Sequence, residues 1–235
     1  MLHPNEETSI ELSGRWDSPE ATRLSDAFFD AIAMRHRLPH HVRYMEGMSG
    51  KKYRYLINRL VNNTPDARYL EIGSWKGSTA CSAIANNKCR AVCIDNWSET
   101  MRGVVAKDDF IKNTQSVITP DVDFTFIEKD FRDVDYSDIG KFNIYMYDGC
   151  HGEKEQYEGI TIVQPALDDI YTLIVDDWNG DDPQNGTIKA IHDLGHELIC
   201  RMDIITRRDD QHPQLYGEYS DWHNGYFIAV VKKNP

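Results

Sequence analysis

The spacing of apolar residues changes once along the chain, near residue 65. Upstream the period is helical. Ser18 can cap, Pro19 suits a first turn, and Leu24, Phe28 and Ile32, with Arg35 extending the row, predict a helix that stops before Pro39. A second helix is predicted over KKYRYLINRLVNN, residues 51–63, with Tyr53, Leu56, Ile57 and Leu60 on one face and Pro65 beyond its end. Residues 1–17 are polar without a period and read as a loose arm.

Downstream, short apolar runs alternate with amphipathic stretches, the rhythm of a parallel sheet covered on both faces. Strands are predicted at residues 68–72, 91–95, 123–128, 142–148, 172–177, 196–204 and 225–232, seven in all. Helix-length segments separate the first five, as parallel crossovers require. A polar loop joins the last two, which predicts a hairpin and an antiparallel final strand. The expectation is one α/β unit in which residues 1–62 form an arm and helices packed on a core of residues 63–235.

Charge narrows the partners. Lys plus Arg number 26 against 38 Asp plus Glu, a net charge of −12, and polyanion binding depends on basic patches. Nucleic acid and anionic membrane are therefore not expected. There is no basic segment followed by an apolar one at the N-terminus, and no apolar run near the roughly 20 residues of a membrane helix. A cytoplasmic location is expected. The odd set Cys81, Cys89, Cys93, Cys150 and Cys200 reads as reduced thiols, and without a Cys-x-x-Cys zinc is not expected.

The chemistry gathers at predicted strand ends. YLEIGSWKGSTA puts Glu71, Gly73 and Gly77 where the first strand of the sheet turns into a helix, and glycine there lets a ligand approach the backbone. The spacing is Gly-x-x-x-Gly, so the dinucleotide fingerprint is absent and an adenosyl ligand is better provided for than a pyrophosphate. Asp95 closes the next strand, where a carboxylate can accept both hydroxyls of a ribose. Asp130, with Phe131 beside it, reads either as an adenine contact or as a helix cap.

YMYDGCHGEKEQY and LIVDDWN end the fourth and fifth strands, so Asp148 should meet Asp176 and Asp177 at one sheet edge. Three carboxylates that close repel one another and lose hydration unless a cation is present or protons are taken up, and a hard divalent ion such as Mg²⁺ resolves the conflict. Neighbouring side chains on a strand point to opposite faces, so Asp176 and Asp177 can share an ion only if the extended backbone breaks there. Asp181 and Asp182, ahead of Pro183, read as a helix N-cap.

Over residues 40–232 the sequence resembles the class I S-adenosylmethionine-dependent methyltransferases, on Glu71, Gly73 and Gly77 for the first motif, Asp95 for the ribose acid and Asp130 for the adenine-side acid. The resemblance implies a Rossmann-like sheet. It also implies cofactor contacts from Met48, in the segment YMEGMSGKKYRYLINRLV, from Trp75 and Thr79 in the glycine turn, and from Phe131 and Asp148. The metal-dependent O-methyltransferases carry an Asp after the fourth strand and an acidic pair after the fifth, matching Asp148, Asp176 and Asp177 as metal ligands. Catechol-type enzymes place a lysine base three residues past the first ligand; macrolide sugar enzymes place a histidine, and here His151 stands there.

The implied activity is Mg²⁺-dependent methylation of a hydroxyl on a small polyol, such as a sugar or sugar-bearing metabolite, with His151 as the base. None of the other eight histidines keeps such company in the sequence. Trp178, and Trp222 in the loop 217–226, are candidates for stacking on a sugar face. A small-molecule acceptor is the expected partner, and a second copy of the chain a possible one. The competing classes are a nucleotide-dependent oxidoreductase and a non-catalytic cofactor-binding relative.

Overall fold

The computed structural model describes residues 8–98, 106–208, 213–215 and 217–234. Eight strands form one sheet: β1 (Ser9–Gly14), β2 (Arg68–Ile72), β3 (Cys89–Asp95), β4 (Val122–Glu128), β5 (Phe142–Tyr147), β6 (Leu167–Asp176), β7 (Glu197–Ile205) and β8 (Tyr226–Lys232). Their spatial order is β1-β7-β8-β6-β5-β2-β3-β4. β2 to β6 pair in parallel, whereas β8 runs antiparallel to both β6 and β7. The fold is Rossmann-like, as the rhythm of the sequence predicts.

The eighth strand is a correction to the loose arm. SIELSG forms β1 and pairs antiparallel with β7, Ile10 opposite Ile204. As an edge strand with Leu12 exposed, it lacks the two-sided apolar pattern of its neighbours.

Helix α1 (Pro19–Ile32) is capped by Ser18, whose Oγ accepts from the Ala21 N–H at 3.1 Å. It ends well short of Pro39, where Met34 takes a left-handed backbone (φ +55°), and Arg35 lies beyond it, paired with Asp30. A short helix α2 (His40–Arg43) precedes α3 (Lys51–Asn63), which has the predicted bounds and ends with the Thr64 Oγ1 donating to the Leu60 carbonyl. Helices α4 (Ser78–Ile84), α5 (Lys107–Gln115), α6 (Glu153–Thr161) and α7 (Asp181–Asp193) follow β2, β3, β5 and β6.

Alternation along the central strands feeds a core on each face. Tyr69, Ile144, Met146, Ile174 and Tyr226 face α1 and α3 in one cluster; Leu70, Ile72, Tyr145, Val175 and Phe227 belong to the other. The chain leaves β2 toward β3 and β4, then returns to β5 on the other side. The strand order therefore reverses between β2 and β5, and the carboxyl ends of such a switch point leave a crevice.

Candidate active site

Backbone contacts stitch the crevice together. Gly73 donates to the Ile94 carbonyl at 2.9 Å and Asp148 to the Ile72 carbonyl at 2.8 Å, which locks the ends of β3, β2 and β5 in register. Gly73 holds φ +83°, and a Cβ there would lie 1.8 Å from the Asp148 carbonyl oxygen, so no larger residue fits. Between these strand ends opens a cavity of about 610 Å³.

Asp95 organises one wall. Its Oδ2 accepts from the Ser74 and Trp75 amides at 2.7 and 2.9 Å, and its Oδ1 from the Trp97 amide at 2.7 Å. A carboxylate offers about four acceptor positions. Three are filled, so Asp95 can meet one hydroxyl directly, and the two-handed ribose grip expected from the sequence requires giving up a backbone bond. Asp130 caps a short 3-10 turn, accepting from the Arg132 amide at 2.9 Å, and it lines the cavity. Phe131 lies beside it, covered by the Arg132 guanidinium 4.5 Å from the ring centre.

Met48, Gly73, Trp75, Asp148, His151, Asp176 and Asp177 reach the cavity as well. Glu71, Gly77 and Thr79 do not. Glu71 is fully buried on the α3 side of β2, where the Tyr69 hydroxyl donates to it. Burial pushes its carboxyl up to about 7, against the hydrogen bond from Tyr69 and the nearby Ser74 hydroxyl, both of which favour the charged form. Gly77 caps α4 at φ +80° with Phe110 against its Cα, and Thr79 is buried in the first turn of that helix. Their motif shapes the turn from behind.

Seven non-glycine residues among those described have a positive φ, and four of them, Trp75, Trp97, Asp177 and His223, line this cavity. Such conformations cost on the order of 1–3 kcal/mol each and collect where function requires them. Asp177, at φ +55°, breaks the extended geometry: Asp176 is still in β6 and Asp177 has left it.

The acidic pair is held on several sides. Asn224 Nδ2 donates to Asp177 Oδ1 at 3.1 Å, and His151 Nε2 lies 3.1 Å from Asp177 Oδ2 and 4.0 Å from Asp148 Oδ1. Asp176 is 4% exposed, and its Oδ1 is buried without a hydrogen-bond partner. Burial first, then the Asp177 charge, raises the Asp176 carboxyl pKa; burial, then Asp176 and Asp177, raises that of Asp148.

His223 joins this group unannounced by the sequence. Among the described residues, the set whose ligating atoms all lie within 4.8 Å of one another is Asp176, Asp177 and His223. Asp148 stands outside that set, close enough for the two charges to act on it. His223 Nδ1 accepts from the Gly217 amide at 3.0 Å, so the neutral ring carries its proton on Nε2. That tautomer donates to carboxylates and has no lone pair left for a metal, which makes His223 a poor ligand and a good partner for the pair.

The loop carrying His223 is docked by backbone chemistry. The first amides of α3, Lys51 and Lys52, donate to the Ser220 and Asp221 carbonyls at 2.9 Å, satisfying N–H groups that a helix start leaves open. Asn179 bonds Asn224 and Thr206 through its Nδ2 and accepts from the Thr206 amide, tying the exit of β6 to the end of β7.

Two stacking candidates are corrected. Trp178 is 2% exposed, with its Nε1 donating to Asp203 and its ring 4.6 Å from Phe227; Trp222 is 3% exposed and stacks on Phe28. Both are core residues. Asp181 and Asp182 open α7, but its N-cap is Gly180.

A family model described as a methyltransferase domain matches residues 70–178. No curated protein resembles the chain closely enough to count as a relative. Among solved structures, a proposed RNA methyltransferase from Pyrococcus horikoshii aligns over 91% of this chain and 98% of its own, at 11% identity and a TM-score of 0.54. Cofactor-bound Rv0187 from MTB aligns over 93% and 92%, at 15% identity and 0.54. A proposed O-methyltransferase from Klebsiella pneumoniae aligns over 92% and 90%, at 13% identity and 0.50. At such identities the likeness is one of fold. No helix among the described residues is long and apolar enough to cross a membrane.

Proposed function

We propose, with the methyltransferase domain over residues 70–178 as premise, that this chain is an S-adenosylmethionine-dependent O-methyltransferase that uses a divalent cation such as Mg²⁺. Its acceptor in this reading is a small polyol, a sugar or sugar-bearing compound, that presents two adjacent oxygens. The observation that carries the reading is the convergence of Asp148, Asp176, Asp177 and His151 on the cavity that the glycine turn opens.

The residues fit both groups. Asp176 Oδ1, buried without a partner between carboxyls that repel, is an atom that a cation would satisfy. Hard oxygen donors suit Mg²⁺. Asp148, Asp176 and Asp177 would hold it, while Met48, Gly73, Trp75, Asp95, Asp130 and Phe131 would line the bed of the adenosyl ligand. When bound, the cation supplies a Lewis acid that lowers the pKa of a hydroxyl, and S-adenosylmethionine supplies the methyl group.

The chain's own residues do the rest. His151, 40% exposed at the cavity lip, can take the hydroxyl proton on Nδ1 while its Nε2–H donates to Asp177 Oδ2 at 3.1 Å, a contact that steadies the imidazolium that results. The Asn224 bond to the opposite oxygen keeps that carboxylate turned toward His151. Rate then comes from positioning and from charge stabilisation. A net charge of −12 favours a small acceptor over a nucleic acid.

The test is calorimetry with S-adenosylhomocysteine, followed by methyl transfer across a hydroxyl library with Mg²⁺ or EDTA. Binding together with EDTA-sensitive transfer supports the reading. Transfer untouched by EDTA would return Asp176 and Asp177 to a structural role.

A further inference from the structure

Tyr226 opens β8 directly opposite Asp176, the last residue of β6, in the antiparallel ladder. Cross-strand partners of this kind share one face of the sheet. Tyr226 is fully buried, and its hydroxyl makes no hydrogen bond of normal geometry, as is also true of Asp176 Oδ1. Two unsatisfied polar groups, a donor and an acceptor, thus stand as neighbours in one buried place, where each alone is costly. Asp176 is also the first charge to act on the Tyr226 hydroxyl.

The ring cannot turn away. Tyr53 of α3 stacks on it at 3.8 Å between centroids and 10° between planes, and the Tyr53 hydroxyl is itself anchored on Met146 Sδ at 3.2 Å. The stack therefore fixes the direction of the Tyr226 ring.

We infer that Tyr226 is a positioning residue for the cation site: its O–H donates to Asp176 and fixes which carboxylate oxygen is offered to the ion. The inference rests on the metal reading under Proposed function. A ligating carboxylate held by an outer hydrogen bond has its orientation and basicity set in advance, and loss of such a partner costs 10- to 100-fold in metal affinity in general. The hydroxyl differs from His151 and Asn224, which hold Asp177: it acts on the other carboxylate of the pair, from the opposite side of the site.

The experiment uses the full chain with S-adenosylhomocysteine present and Mn²⁺ as the probe, titrated by calorimetry into wild type and Tyr226→Phe. Phenylalanine keeps the stack on Tyr53 and removes only the hydroxyl. The expected result is at least tenfold weaker Mn²⁺ binding by Y226F, with unchanged affinity for S-adenosylhomocysteine. In EDTA the variant should remain folded, with its unfolding temperature read beside that of wild type, because the ring stack on Tyr53 is kept. Equal Mn²⁺ affinities, with wild type binding the ion, would overturn the inference alone. A wild type that takes up no Mn²⁺ would overturn the metal reading and this inference with it.

Discussion

His151 Nε2 and Asp177 Oδ2 lie 3.1 Å apart, an imidazole at the start of one crossover facing a carboxylate at the exit of the neighbouring strand. Adjacency of β5 and β6 produces the pair. His151→Ala should lower kcat by about 10²- to 10⁴-fold, the usual worth of a positioned general base. The affinity for S-adenosylhomocysteine, read by calorimetry, should stay within about twofold.

Asp177→Ala should abolish metal-stimulated transfer, and Asp148→Ala should do the same. Both should leave S-adenosylhomocysteine affinity within about tenfold, roughly 1.4 kcal/mol. Transfer assays with added Mg²⁺, run beside the calorimetry, distinguish this from collapse of the cavity.

Asp95→Ala should act in the opposite order. Asp95 accepts from three backbone amides of the glycine turn and the following loop, so its loss frees the wall on which the proposed cofactor would lie. Cofactor affinity should fall by more than tenfold, while kcat at saturating cofactor changes less. A kcat loss with unchanged cofactor affinity would contradict this assignment.

Glu71 should make the fold more stable in mild acid. Its folded pKa is raised from 4.5 to about 7, chiefly by burial, so below about 4.5 its contribution to stability is fully present, and it is lost as pH rises through about 7. At full loss the effect is on the order of 3 kcal/mol. Glu71→Gln should flatten this part of the profile and raise stability above pH 7, as denaturant unfolding at pH 5 and pH 8 would show.

Gly73→Ala should be among the costliest single methyl additions. Its φ of +83° disfavours alanine by about 1–3 kcal/mol, and the new Cβ must displace the Asp148 carbonyl oxygen. Loss of thermal stability and loss of S-adenosylhomocysteine binding should appear together.

Much of this architecture is legible in the residue pattern. α3 has its predicted bounds because one face is apolar and Pro65 forbids continuation. The parallel strands are readable because burial on both faces demands unbroken apolar runs. β1 escapes notice because an edge strand needs no such run, and α1 ends early because Met34 turns left-handed, which no local motif announces.

In the site, the chain order alone places Asp148, Asp176, Asp177 and His151 at adjacent strand ends, and side-chain alternation requires the backbone to break at the acidic pair if the two are to share an ion. Those conclusions follow from local geometry and from the rules of parallel pairing. The burial of Trp178 and Trp222 and the arrival of His223, Asn224 and Tyr226 beside the carboxylates were decided by tertiary structure. These depend on how the 217–225 loop docks on the open amides of α3 and on which strand β8 joins, and such long-range hydrogen bonds leave no periodic trace in the sequence.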